Sequence, residues 1–231
     1  MTRRVVGILG GMGPEATILL QQRVLATVQA RDDSDHLPLL IDMNPQVPSR
    51  IAHLIEGTGR DPGPVLAEMA RRLEQAGATA LGMPCNTAHH YAPVIEAAVS
   101  IPLLNMVDLS VAEAAQRLER GACVGILASP AVRLAGLFDA ALERAGLTPL
   151  WPGDEGRMLE AIRAIKADGA TPAPRRILAD AAAELSDRGA ELLLVACSEF
   201  SLIAGSLPDA VPIIDTVDVL ARAIHDHTLA K

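Results

Sequence analysis

The sequence predicts an α/β protein made of two similar, doubly wound, Rossmann-like domains with mainly parallel sheets. Two observations carry that expectation. Short aliphatic or β-branched runs bounded by Gly or Pro alternate with segments of helical periodicity, the pattern of parallel strands covered on both faces by crossover helices. The chain also matches itself at three places in the same order, the mark of an internal repeat.

Taken in order, "RVVGIL" (4–9) is the first strand and leads through "GGMG" into a helix over 14–30. "PLLIDM" (38–43) is the second strand, followed by a Pro-rich loop, "NPQVPSR", and a helix over 62–76. "TALGM" (79–83) ends on "PCNTAHH", which opens a helix reaching about Ser100; "PLLN" (102–105) and a helix over 107–120 follow. The pattern then restarts: "CVGIL" (123–127), helices over 131–145, 154–167 and 174–188, "ELLLV" (191–195), "PIID" (212–215) and a last helix over 216–227. Each strand candidate is short and apolar on both faces, as a strand covered by helices must be.

"GATALGMPCNTA" from Gly77 aligns with "GAELLLVACSEF" from Gly189, each with Cys eight positions after the Gly. Downstream, "IPLLNMVDL" (101–109) matches "VPIIDTVDV" (211–219); upstream, "VGILGG" (6–11) echoes "VGILAS" (124–129). The simplest account is two lobes, residues 1–104 plus 216–231 and residues 105–215, related by a pseudo-two-fold. Open parallel sheets bind ligands beyond the carboxyl ends of their strands. Cys85 and Cys197 both lie at such ends, so lobes facing each other across a cleft would bring two thiols to one ligand.

Composition excludes several classes. A formal charge of −8 with four aromatic residues gives neither the basic footprint nor the stacking platform of a nucleic-acid binder. The apolar run at the N-terminus is broken by glycine well short of membrane length. Three cysteines in 231 residues without export features read as free thiols in a cytoplasmic protein.

The candidate residues have competing readings. Cys85 and Cys197 are either packed thiols or reagents activated by the helix N-termini that follow them. Cys123, inside a strand, reads as packing. No metal is expected: Cys85, His89 and His90 lack paired ligand spacing, and the histidines read as solvent-facing or as caps of a helix turn. Gly11–Ala16 fits G-x-G-x-x-A, with Asp42 as ribose acid, although Pro14 removes an amide that a pyrophosphate would use. The alternative is that the glycine loop brings backbone amides to a small anion. Arg50 is either a carboxylate fork near the same face or a surface arginine, and Lys166 carries a weaker signal. Arg71, Arg72 and Glu74 read as a solvated helix face.

With "GILGGMGPEAT", "NPQVPSR", "MPCNTAH", "IPLLNM", the Lys166 segment, "ACSE" and "VPIIDTVDV", the sequence resembles the cofactor-independent aspartate/glutamate racemase superfamily over nearly its whole length. The resemblance implies a two-lobed fold with the active cleft between the lobes, a homodimer, and no pyridoxal phosphate or metal. It implies racemisation of an amino acid, aspartate foremost, by proton transfer between Cys85 and Cys197 at the α-carbon. Asn86 and Thr87 match the donors that hold the substrate carboxylate and amine, Met12 lines the cleft, and Arg50 with Lys166 reads a dicarboxylic side chain. Ser198 stands where the family commonly has threonine, beside Glu199 of the same box; Ser129 stands in for one of several threonines after "GILA". Glutamate or broad-specificity racemisation is the neighbouring reading, and a non-catalytic two-lobed binder of small molecules the one from another class.

Overall fold

The computed structural model describes residues 3–207 and 211–230. The chain divides into two units, Met1–Met106 with Val217–Lys231, and Val107–Thr216.

In the first unit β1 (Val6–Gly10), α1 (Pro14–Ala26), β2 (Leu39–Met43), α2 (Arg50–Leu54), α3 (Gly63–Gln75), β3 (Ala80–Gly82), α4 (Ala92–Glu96) and β4 (Leu103–Leu104) follow one another, and α5 (Met106–Arg117) starts at its last residue before the crossing. The second unit adds β5 (Cys123–Leu127), α6 (Pro130–Leu134), α7 (Asp139–Arg144), β6 (Thr148–Leu150), α8 (Glu155–Asp168), α9 (Pro172–Asp187), β7 (Leu192–Val195), α10 (Ser198–Ser201) and β8 (Ile213–Asp215). Helix α11 (Thr216–Leu229) returns to the first unit.

Both sheets are parallel and share one strand order, β2-β1-β3-β4 and β6-β5-β7-β8. The repeat read from the sequence is therefore a repeat of topology. It extends to packing. A Cβ on Gly7 would meet Leu73, Ala78 and Leu81 at 3.0–3.1 Å, and one on Gly125 would meet Leu185, Ala190 and Leu193 at 2.6–3.2 Å. The same three positions close on the same glycine in each unit.

In the first unit one sheet face buries Leu9, Leu81 and Met83 against Leu66, Met69, Ala70 and Leu73 of α3. The other buries Val6, Ile8 and Ala80 against Leu20 and Val24 of α1 and Leu220, Ala221 and Ile224 of α11. The apolar positions of α1 recur at helical spacing, Ala16, Leu20 and Val24, which is why this stretch folds as a helix whose one face seals the sheet. In the second unit Leu127, Leu193 and Val195 pack on Met158, Ala161, Ile162 and Ile165 of α8 and Ile177, Leu178 and Leu185 of α9. A buried leucine at such a position is worth about 2–5 kcal/mol against alanine.

Four local differences from expectation have physical causes. The helix after Cys85 is not continuous: a 3-10 turn (Thr87–Tyr91) precedes α4, because Pro93 cannot donate to the helical ladder. The helix expected over 131–145 splits at Gly136, whose φ of +62° ends α6. Arg50 opens α2 rather than sitting in a loop, since the Ser49 hydroxyl caps the Ala52 N–H at 3.2 Å. Strand β6, with the sequence "TPL", carries no strand signal because of Pro149; it is an edge strand, where a missing N–H is tolerated.

Candidate active site

In each sheet the strand order reverses between the first and third strands, β1/β3 and β5/β7. Ligands bind outside the carboxyl ends of parallel strands at that switch. Cys85 follows β3 and Cys197 follows β7, so both thiols stand beside a switch point of their own unit.

In the first unit the β1–α1 loop lies hard against the end of β2. Gly11 has φ +92°, and a Cβ there would come within 2.3 Å of the Asn44 carbonyl carbon, so only glycine fits. Its amide donates to Thr17 Oγ1 at 3.0 Å. That bond is internal to the protein, which counts against the amide cradle for a pyrophosphate or small anion. Asp42, the would-be ribose acid, instead binds Arg72 at 2.6 and 3.1 Å. Arg72 is thus an inter-element anchor, and Glu74 likewise receives the Ser100 N–H and hydroxyl at 2.8 and 2.6 Å. Their exposure matches a solvated face; their partners were invisible to local periodicity.

Cys85 is buried in one cluster with Met12, Val47, Met83, Ala88 and Tyr91. Met12 adds its carbonyl to a second task, accepting from Arg50 Nη2 at 3.4 Å. Arg50 Nη1 rests on the carbonyls of Val47 (3.4 Å) and Pro48 (3.0 Å). Among the described residues no carboxylate pairs with this guanidinium, so its positive charge is held by carbonyl dipoles alone. Asn86 is buried and Thr87 half-buried at the start of the 3-10 turn after Cys85.

His89 is 4% exposed, so of its two expected roles the solvent-facing one is overturned. Its Nδ1 lies 2.9 Å from the Cys85 carbonyl, and its Nε2 receives the Met106 N–H at 3.2 Å. An acceptor role for Nε2 fixes the proton on Nδ1. Burial drives the imidazole pKa down to about 4, the Cys85 carbonyl opposing, so the ring is neutral. His90 is exposed. No group of three metal-ligating side chains is arranged for a metal among the described residues.

Two further residues here escaped sequence reading. The phenol of Tyr91 is 2.6 Å from His53 Nδ1. Burial, and after it the Asp61 charge, pushes that phenol up to about 12, with Arg50 opposing and Cys85 adding. The one available signal was that Tyr91 is the single tyrosine of the chain, six positions after Cys85.

In the second unit Cys197 occupies the cap position of α10, and its Sγ donates to Glu199 Oε2 at 3.1 Å. The other oxygen of that carboxylate lies 2.5 Å from Lys166 Nζ. The helix N-terminus does not lower this thiol as expected. Burial, then the Glu199 charge, holds Cys197 well above the usual thiol range, the Lys166 charge only partly offsetting them. A four-residue helix has too few aligned dipoles to compete. Cys197 is therefore a thiol at neutral pH. The two expected basic residues differ in their surroundings: Lys166 engages Glu199, whereas Arg50 meets no carboxylate among the described residues. Ser198 is buried beside Cys197. Ser129, at the end of β5, caps α6 by accepting the Ala131 N–H at 3.2 Å. Cys123 is partly buried at the start of β5, away from the strand's carboxyl end. No helix among the described residues is long and apolar enough to cross a membrane.

Comparison with known proteins agrees with these features. The family described as Asp/Glu/Hydantoin racemase matches residues 9–224. The broad specificity amino-acid racemase RacX of Bacillus subtilis is 25% identical over 227 residues, 95% of this chain and 96% of that protein. A glutamate racemase of Pseudomonas putida is 30% identical over 173 residues, 69% of this chain and 63% of its own. Picrophilus torridus aspartate racemase superposes with a TM-score of 0.86 at 26% identity, covering 97% of this chain and 94% of that one. With the family matched across nearly all of both units, the chain belongs to the Asp/Glu/hydantoin racemase family.

Proposed function

We propose that the protein interconverts the L and D forms of an acidic amino acid, aspartate foremost, by proton transfer at the α-carbon between its own two cysteines, with no pyridoxal phosphate or metal. The observation that carries the reading is the equivalence of Cys85 and Cys197: each follows the third strand of an identically ordered sheet, at that sheet's switch point. A duplicated fold that keeps one thiol at the ligand-binding end of each copy suits a reaction that needs an acid and a base on opposite faces of one carbon.

The two sulfurs have different roles in this scheme. Cys197 is held protonated by burial and Glu199, which suits it to be the first acid. Cys85 then acts as thiolate base. In one turnover the Cys85 sulfur takes the α-proton, the carbon passes through a carbanion-like state, and the Cys197 sulfur gives its proton to the opposite face. Charge has moved from one sulfur to the other, and the reverse reaction restores it. Such a pair titrates as one coupled system. Proton transfer by placed groups supplies roughly 10²–10⁴-fold; stabilising the carbanion-like state by fixed donors such as Asn86 and Thr87 supplies more.

Arg50 favours an acidic substrate, because a half-buried guanidinium that meets only carbonyls among the described residues gains most from a carboxylate. A glutamate or broader specificity is the second reading, favoured by the relatives of those activities. The expected assembly is a homodimer in the cytoplasm. Incubating the protein with L-aspartate, L-glutamate and L-alanine in deuterium oxide, without added cofactor, tests the proposal. Loss of the α-proton signal with appearance of the D form, fastest for aspartate, is expected. Full activity after replacing either cysteine with serine would refute the two-thiol scheme, and tight binding without exchange would identify a binder.

A further inference from the structure

We infer that His89 and Ser201 are positioning residues, each bracing the loop that carries one cysteine against the junction between its unit's last strand and the helix that follows. The inference rests on the racemase reading above. Both residues stand four positions after their cysteine. In the first unit the His89 ring reaches back to the Cys85 carbonyl at 2.9 Å and forward to the Met106 N–H, the first residue of α5, at 3.2 Å. In the second, Ser201 uses its own N–H on the Cys197 carbonyl at 3.1 Å and its hydroxyl on Asp215 Oδ1, the last residue of β8, at 2.7 Å.

The far ends of the two links, Met106 and Asp215, fall at neighbouring positions of the duplicated boxes. Asn105-Met106 aligns with Asp215-Thr216 in the duplicated boxes. The chemistry of the brace differs between the units, imidazole in one and hydroxyl with amide in the other, while the two-ended link is the same. An arrangement kept through a change of residue type marks the link, rather than either side chain, as the useful feature. Both braces are buried, His89 4% and Ser201 3% exposed. With both ring nitrogens committed, His89 has neither a proton nor a lone pair for a substrate, so it acts through Cys85. The requirement is plain: a sulfur on a loop must be held to within a fraction of an ångström for proton transfer, and a displacement of about 1 Å costs on the order of 100-fold in rate.

The test compares His89→Ala and Ser201→Ala with the conservative His89→Asn, which keeps a donor for the Cys85 carbonyl, and Ser201→Thr, which keeps the hydroxyl. Two readouts are taken on each intact protein: kcat and KM for racemisation, and the iodoacetamide alkylation rate of each cysteine by peptide mass spectrometry. His89→Ala is expected to lower kcat about tenfold or more with KM little changed, and to alter alkylation of Cys85 while leaving Cys197 as it was. Ser201→Ala is expected to give the mirror pattern, and the conservative variants to recover most of the loss. Unchanged kcat in both alanine variants, or alkylation that changes equally at both cysteines, would overturn the inference. Should His89→Ala not fold, His89→Asn and Ser201→Ala carry the same comparison. Alkylation does not depend on turnover, so a wild-type protein without racemase activity would sink the proposed function and leave the brace to be decided by the cysteine-specific pattern.

Discussion

The carboxylate of Glu199 is shared between Lys166 Nζ at 2.5 Å and Cys197 Sγ at 3.1 Å. One anion thus keeps a neighbouring sulfur protonated and engages the lysine that would otherwise draw the sulfur toward thiolate. Replacing it with a neutral isostere removes the repulsion and exposes the thiol to the ammonium.

Glu199→Gln should therefore shift ionisation of Cys197 to lower pH, raising the thiolate fraction at any fixed pH below the midpoint. The pH profile of Cys197 alkylation checks this. A profile that stays in place would mean that burial alone sets the thiol's state.

Single-cysteine variants should separate exchange from inversion. Cys197→Ala retains one base, so it should still wash the α-proton of one enantiomer into solvent deuterium while forming about 10²-fold or more less of the opposite enantiomer. Cys85→Ala should show the complementary preference. Proton NMR together with chiral chromatography distinguishes the two processes, and equal loss of both with neither enantiomer exchanging would contradict separate acid and base roles.

Arg50→Ala should raise KM for aspartate by roughly 10–100-fold, the value of a charge-assisted contact, and change KM for alanine far less. Lys166→Ala is expected to behave differently, because its loss removes the counter-charge of Glu199. Its main effect should appear in the pH dependence of kcat.

Folding stability should carry the mark of His89. The folded pKa near 4 lies below the ordinary value of 6.5, so the unfolded chain binds the proton more readily. Its contribution to stability is complete above pH 6.5 and is lost as pH falls to about 4, amounting to about 3 kcal/mol. Urea unfolding at several pH values should show the difference between wild type and His89→Asn shrinking by about that amount across the interval. A constant difference would place a charged or solvated ring at this site.

The linear order of residues determined the architecture here because its signals are local or internal to the chain. Short aliphatic runs such as "CVGIL" and "ELLLV", alternating with helical segments, read as strands covered on both faces, and the repeated Gly-Ala-strand-Cys spacing announced two copies with one thiol each. Arg50 and Lys166 stood out as candidate basic residues for the same reason, by type and by neighbouring motif. What each side chain meets was decided only by tertiary structure. His89 and Met106 are 17 positions apart, Asp42 and Arg72 30, and Lys166 and Glu199 meet across the packing of α8 with α10. A histidine in "NTAHH" looks polar until a strand end and a helix start close over it, and a cysteine before a short helix looks activated until a carboxylate two residues on turns back to it. Burial and charge pairing are properties of neighbours brought from elsewhere in the chain, and they set the protonation state of His89 and of Cys197.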